Sequence, residues 1–319
     1  MSNFVFNNPA FQQQDPRKVA TYPGAPGSAR QGQNAPGQYA PPPPAAAAQQ
    51  AAFGQAGINA AAQANLEGMY TAPSAGAIET DRMTVEDTAW KTAGLFGILL
   101  VAAAVGWVWT LGGVVARPGA IASILPWMIG AFGGFVLAMI VTFTSRKKVR
   151  PGLIFGYAVF EGLFVGGISA FFETMWPGLV MQATLATVAV VGVTLALFAS
   201  GKVRASAKMT KIVMIAMIGY LVFQVINLIM MWTGAIDSSY TFGAYSMKIA
   251  GIPVGLIIGI LVVFMAAYSL VMDFDQIQQG VRNGAPRKYG WVGAFGIMVT
   301  VVWLYVEILR ILAILRGSD

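Results

Sequence analysis

The chain has 319 residues, of which 56% are hydrophobic and only 10% are charged, so it has too little polar surface to cover a soluble globule of this size. Its net charge of +7 lies in short connections between apolar runs, which is typical of membrane topology signals rather than of a nucleic-acid partner. Because histidine and cysteine are both absent, disulfide bonds, thiolate or imidazole metal ligands and histidine-based catalysis are excluded. The composition therefore predicts an all-α polytopic membrane protein in contact with the lipid bilayer.

Residues 1–84 form a region rich in proline, alanine and glutamine, and ten of the sixteen prolines precede Ile78. Such a segment cannot bury enough apolar surface to offset the entropy of an ordered chain, so we expect a disordered tail. Its first thirty residues contain no apolar run of the kind found in signal peptides, which predicts that the tail stays in the cytoplasm. The tail is either a solvated linker or a docking segment for a partner.

Residues 85–319 form the predicted membrane domain. Apolar runs of about 20 residues, the length that crosses a bilayer, recur there between short polar interruptions. Thr84 followed by Asp87 predicts a helix N-cap just before the first run. The seven predicted spans cover residues 90–114, 121–143, 152–173, 178–199, 211–232, 250–272 and 291–315.

Glycines recur at four-residue spacing in the third and sixth spans. Gly162 and Gly166 form one series, and Gly251, Gly255 and Gly259 form the other. Small residues at this spacing let two membrane helices approach closely. We therefore interpret both series as packing faces rather than as ligand sites.

Basic residues in the connections alternate between the two sides of the predicted bundle. One side carries eleven of them, at Arg146, Lys147, Lys148, Arg150, Lys202, Arg204, Lys208, Lys211, Arg282, Arg287 and Lys288. The opposite side carries only Arg117, Lys248 and Arg316. The positive-inside rule then places the N-terminus in the cytoplasm and the C-terminus outside.

Five charged side chains in or beside the spans are the candidates for a functional role, and they should face protein or water because lipid cannot solvate them. They are Glu161 in the third span, Asp273 and Asp275 at the end of the sixth, and Glu307 and Arg310 in the seventh. Glu307 and Arg310 are three residues apart, so they share a helix face and can neutralise each other. The structural alternatives are that the two aspartates lie at a solvated helix end and that Glu161 forms a hydrogen bond to a neighbouring span.

The functional alternative is that two or more of these carboxylates converge in one site. Neighbouring carboxyl groups in a low-dielectric site cannot all ionise, so a shared proton would link pH to conformation. Once ionised, their oxygens suit a hard cation such as calcium. Protons and cations would then compete for the same site.

Two C-terminal segments resemble the signatures of a known family. Tyr268–Ile277 (YSLVMDFDQI) and Trp303–Arg310 (WLYVEILR) are similar to the paired C-terminal signatures of the transmembrane Bax inhibitor motif family, in its branch from high-GC Gram-positive bacteria. The resemblance covers about residues 83–316, includes the segment Tyr157–Gly162, and extends to residues 8–11 in the tail. It implies that the protein lies in a bacterial cell membrane.

The resemblance implies a fold in which six helices surround a central, relatively polar seventh, and a pH-sensitive calcium leak controlled by two acidic residues. Those two positions match Asp273 and Glu307, the predicted proton or calcium sites, with Asp275 and Glu161 as further candidates and no resident cofactor. Glu307 stands where the family usually has aspartate. Arg310, one turn away, would modify this site because its cation would repel calcium. A simple turn near Ala285 would leave the two acidic residues about 15 Å apart along the helix axes, so they meet only if the sixth helix runs past that turn or the loop folds back.

The sequence lacks residues that several other classes of membrane protein require. A retinal-binding protein needs a lysine in its last helix, and serine or zinc intramembrane proteases need histidine, so neither class fits. An aspartyl protease needs membrane aspartates on separate spans, whereas Asp273 and Asp275 are neighbours, and we expect no enzyme activity. The alternative to a cation leak is an interaction protein that modulates a membrane protease or another envelope partner, with the tail as its docking segment.

Overall fold

The computed structural model describes residues 81–113, 122–236 and 242–317. These residues include seven helices that are long and apolar enough to cross a membrane, which confirms the predicted fold. The helices are α1 (Val85–Leu111), α2 (Leu125–Thr144), α3 (Pro151–Met175), α4 (Leu179–Ala199), α5 (Ala207–Trp232), α6 (Val254–Arg282) and α7 (Gly290–Gly317). Two 3-10 turns (Gly243–Ser246 and Arg287–Tyr289) and a hairpin of β1 (Lys248–Ile249) and β2 (Ile252–Pro253) lie in the connections. The predicted tail lies outside the described residues except for Asp81–Thr84.

The predicted cap at the start of α1 is present. The Thr84 hydroxyl accepts a hydrogen bond from the Asp87 amide at 3.1 Å, and α1 ends at Gly112, whose φ of 66° is the left-handed conformation that favours glycine. The Ser206 hydroxyl caps α5 in the same way, accepting from the Met209 amide at 3.3 Å. Local side-chain chemistry therefore sets these helix ends.

The sixth helix continues past its predicted end. Hydropathy places the end at residue 272 because charged and amide side chains follow, but α6 stays helical to Arg282. The reason is that the polar stretch is amphipathic, and Ile277 within it is buried in the same cluster as Val292 and Phe295 of α7. At 1.5 Å per residue, α6 is about 43 Å long and exceeds the roughly 30 Å hydrocarbon layer.

The seventh helix is central, as predicted. α7 packs against α1, α3, α4 and α6 and is the most buried of the seven spans. Phe295 meets the ring of Tyr157 on α3 edge-on at 4.8 Å, and Ser169 and Tyr305 join α3 to α7 by a hydroxyl hydrogen bond of 2.6 Å. Polar groups placed on α7 therefore lie inside the bundle.

The glycines of α3 are packed against α1. A Cβ atom at Gly162 or at Gly166 would collide with α1 backbone or side-chain atoms at Ala102 and Ala103. In the sixth span, Gly255 and Gly259 lie against side chains of α7, whereas Gly251 lies in a turn with a φ of 83° and has open space around it. The packing interpretation is confirmed for the first four and is wrong for Gly251, because that residue serves the hairpin turn.

Four segments lie at one end of the bundle, which we call the basic end. They are residues 81–84, 145–150, 200–206 and 283–289. Backbone hydrogen bonds of 2.8 Å run from the Met83 amide to Ala285 and from the Arg287 amide to Asp81. The Arg287 guanidinium also binds the Asp87 carboxylate at 2.8 Å, and Lys91 binds the same carboxylate. The start of the membrane domain is thereby attached to the connection between α6 and α7.

Candidate functional site

Asp273 lies between α6 and α7. It exposes only 2% of its surface, and its Oδ2 atom accepts a hydrogen bond of 2.6 Å from the Thr300 hydroxyl of α7. The extension of α6 positions Asp273 about nine residues, or roughly 13 Å, from the helix end. A carboxyl group at this depth is shielded from bulk water and is held by a neutral donor.

Two side chains near Asp273 on α6 differ in their surroundings. Asp275 is half-buried and accepts a hydrogen bond of 2.7 Å from Gln279 of its own helix. Gln276, which the sequence analysis missed, has a buried side-chain oxygen that accepts no hydrogen bond from any described residue. That oxygen is a free acceptor within one turn of Asp273. Only burial distinguishes Gln276 from the other glutamines of this stretch, and sequence does not reveal burial at that scale.

Glu307 lies in the half of α7 away from the basic end and exposes only 3% of its surface. Its two oxygens have separate partners. The Tyr220 phenol of α5 donates to Oε2 at 2.8 Å, and the Arg310 guanidinium binds Oε1. Gln224 donates to the Tyr220 oxygen at 2.6 Å, which completes a chain of hydrogen bonds from α5 to α7. The predicted pairing of Glu307 with Arg310 is present.

The Arg310 guanidinium is enclosed by an aromatic ring as well as by Glu307. It lies 3.9 Å from the centre of the Tyr245 ring, close enough for a cation–π interaction, and its side chain is only 13% exposed. Burial raises the pKa of the Tyr245 phenol, although the Arg310 cation acts in the opposite direction. We call Glu307, Arg310, Tyr220, Gln224 and Tyr245 the Arg310 cluster.

The connection that carries Tyr245 is fixed by Asn227 of α5. The Asn227 side chain accepts from the Ala244 amide at 2.7 Å and donates to the Phe242 carbonyl at 3.4 Å. Gly243 has a φ of 61° and lies so close to Asn227 that a Cβ atom would collide with it. The roles of Asn227, Tyr220 and Tyr245 were not predicted, because nothing in the sequence shows that this connection folds back onto α7.

The structure does not bring Asp273 and Glu307 together. Thr300, the partner of Asp273, is seven residues before Glu307 on α7, which is about 10 Å along the helix axis. Each carboxyl group has its own partners, from α7 for Asp273 and from α5 and α7 for Glu307. α6 ends at Arg282 and so does not run past the turn assumed near Ala285, and the axial offset between the two carboxyl groups remains.

Glu161 belongs to a third environment. It is half-buried on α3, its carboxyl group lies against Gly134 of α2, and the Tyr157 phenol one turn earlier contacts it. These neighbours come from α2 and α3 and include neither Asp273 nor Glu307. The predicted site residues are therefore distributed over three separate positions in the bundle.

No group of three or more acidic residues in the described part of the chain is arranged to hold a metal ion. Calcium takes six to eight oxygen ligands in a stable protein site. Asp273 and Thr300 offer a few oxygens between α6 and α7, and Gln276 has a free buried oxygen one turn further along α6. This geometry suits brief contact with a hydrated ion better than tight binding.

Comparison with known proteins gives a family match. A family model described as Bax inhibitor 1 like matches residues 7–317, which include all seven helices. No curated protein and no solved structure matches the chain.

Proposed function

The chain belongs to the Bax inhibitor 1 like family and is a multi-pass membrane protein, and on that basis we propose that it is a pH-modulated leak for calcium or another cation. The proposal places the protein in a bacterial cell membrane. It puts the basic end in the cytoplasm, by the positive-inside rule. The C-terminus is then outside. The observation that carries the proposal is the presence of two buried carboxyl groups, Asp273 and Glu307, beside or on the central helix.

Asp273 acts as the ion contact in this proposal. An acidic residue buried among membrane helices is costly, and such residues commonly serve ion or proton pathways. When ionised, the Asp273 carboxylate attracts a cation, and the free Gln276 oxygen lies on the same helix to share its coordination. When protonated, Asp273 loses its charge and the contact weakens. Protons and cations therefore compete at this position.

The Arg310 cluster acts as the pH-dependent closure. While Glu307 is ionised, it holds the Arg310 cation in the interior, where that cation opposes the passage of calcium. Protonation of Glu307 removes the ion pair and frees Arg310 to leave its place beside Tyr245. The leak then rises as pH falls, until protonation of Asp273 limits it.

The first prediction concerns calcium flux into liposomes that contain purified protein, measured at about pH 6 and about pH 8. Wild-type protein is expected to show the larger flux at the lower pH. Asp273→Asn is expected to reduce flux at both values about tenfold, the ratio for a contact worth about 1.4 kcal/mol. Glu307→Gln is expected to raise the flux at pH 8 to its pH 6 value, because the variant cannot form the ion pair.

Asp275→Asn is the matched control for the flux experiment. It removes the same charge two residues away, from a carboxylate that is bonded within its own helix, and should leave the flux and its pH dependence unchanged. If wild-type liposomes pass no more calcium than protein-free liposomes at either pH, the leak proposal is wrong.

The second candidate function is an interaction protein that modulates a membrane protease or another envelope partner. One observation favours it. Residues Asp81 and Met83, where the tail joins the domain, are hydrogen-bonded to the connection between α6 and α7. A partner bound to the tail would therefore act on a segment that positions both helices of the proposed leak.

Deletion of residues 1–80 separates the two functions. The leak proposal predicts that flux and its pH dependence persist, because every residue of the Asp273 site and the Arg310 cluster lies beyond residue 81. Flux is measured in liposomes, and partner capture is measured in parallel with full-length and truncated protein. A phenotype that depends on the tail, without flux in either form, would instead favour the interaction protein.

A further inference from the structure

A groove of about 410 Å³ lies between α4, α5 and α6. On both α5 and α6, the residues that line the groove recur at helical spacing and form a stripe along the helix. The lining side chains are almost all apolar, and they include Met209, Ile212, Ala216, Phe264, Met265 and Val271. A groove of this composition excludes polar ligands but accepts a hydrocarbon chain.

The groove exists because α5 lies apart from most of the bundle. Only Val213, Met217 and Asn227 are buried on this helix. Near the basic end, α5 is joined to α6 by the Tyr268 phenol, which bonds the Thr210 hydroxyl at 3.1 Å. Phe264 and Ile212 on the groove walls are exposed in the bundle itself. The bilayer must therefore supply the hydrocarbon that covers them.

The basic end of the groove carries an excess of positive charge. Lys202, Arg204, Lys208 and Lys211 lie at or beside the start of α5, and all four are exposed. No acidic residue occurs in residues 174–236. Lys208 precedes Ile212 by one helical turn, which places it on the stripe of α5 that lines the groove.

Contacts from α6 shape this charged mouth without neutralising it. Arg204 donates to Gln278 at 2.8 Å and lies 4.6 Å from the centre of the Phe198 ring. Two acidic residues follow Val271 on α6. Asp273 is buried and bonded to Thr300 of α7, and the carboxylate of Asp275, one turn beyond Val271, is bonded to Gln279. Four cations outnumber these two carboxyl groups, which leaves a net attraction for an anion.

We propose that this groove is a binding site for an anionic phospholipid. One acyl chain lies between α5 and α6, and the headgroup phosphate lies against Lys208 and its basic neighbours. Basic residues beside a gap between membrane helices are the pattern that binds anionic headgroups. The bound lipid joins α5, which also carries Tyr220, to the rest of the bundle.

The test measures lipid binding to the full chain in detergent by native mass spectrometry, with phosphatidylglycerol and phosphatidylcholine of equal chain length. Wild-type protein is expected to retain phosphatidylglycerol preferentially. Replacing both lysines in Lys208→Gln/Lys211→Gln is expected to weaken that binding about tenfold or more. The matched control, Lys147→Gln/Lys148→Gln, removes two cations at the same end of the bundle but away from the groove, and should retain wild-type binding.

A second variant tests the acyl chain. Ala216→Phe fills the groove and is expected to weaken binding of phosphatidylglycerol while leaving all the cations in place. Three results would overturn the proposal. The first is equal binding of the two lipids, and the second is an equal loss of phosphatidylglycerol binding in the two double-lysine variants. The third is thermal stabilisation by glycerol 3-phosphate as large as that by phosphatidylglycerol. The last result would show that a free phosphate suffices. Because the two lysine pairs are exposed, their variants report on binding even if Ala216→Phe fails to fold.

Discussion

Gly166→Leu is expected to prevent stable folding of the membrane domain. In the structure, a Cβ atom at this position would collide with backbone atoms of Ala103 on α1. Backbone cannot move aside as a flexible side chain can, so α1 and α3 must separate. We expect a loss of stability of at least about 3 kcal/mol, the upper part of the range for overpacked sites. The measurement is the thermal unfolding midpoint in detergent, together with the monodisperse fraction on gel filtration.

Gly192→Leu on α4 is the matched control, because nothing lies within 4 Å of the position where its Cβ would be. The same substitution there should leave the unfolding midpoint nearly unchanged. Equal unfolding midpoints for the two variants would show that the α1–α3 contact does not require glycine. Gly166→Ala should fall between the wild-type and leucine proteins, since a single methyl group already meets Ala103.

The spans were predictable because the bilayer sets a length and an apolar composition that the sequence must match. A close helix contact on α3 was predictable from the spacing of Gly162 and Gly166, since small residues at four-residue intervals commonly mark packing faces in membrane helices. The partner, α1, was not predictable from that spacing. The end of α6 was not predictable, because hydropathy detects the edge of the lipid and not the end of the helix. Ile277, buried beyond that edge, is the residue that keeps the helix packed.

The candidate site was predictable only in part. Charged residues such as Asp273, Glu307 and Arg310 are visible in an apolar sequence, and their helical spacing indicated that the last two would pair. Their neutral partners come from other elements. Tyr220 lies 87 residues before Glu307 in the chain, and Thr300 lies 27 residues after Asp273. Contacts of that separation depend on how helices pack, which the sequence of one helix does not contain.

Arg310→Met is expected to destabilise the protein by about 3–5 kcal/mol at about pH 8, because it leaves the Glu307 carboxylate buried with only the Tyr220 phenol as a partner. The loss should shrink as pH is lowered, since protonation removes the unpaired charge. Glu307→Gln should also destabilise the protein, because Arg310 loses the carboxylate that holds it beside Tyr245. The measurement is the thermal unfolding midpoint of each variant across this pH range.

The double variant Glu307→Gln/Arg310→Met distinguishes two roles for the ion pair, closure of the leak and simple neutralisation of two buried charges. Removing both charges should cost less stability than removing either one, because no buried charge is left unpaired. If the pair closes the leak, the double variant conducts calcium at both pH values without regulation. If the two residues only neutralise each other, the double variant is stable and its flux matches the wild type at each pH. In the first of these two cases, stability depends on the Glu307–Arg310 pairing, and conduction depends on whether the Arg310 cation occupies the interior.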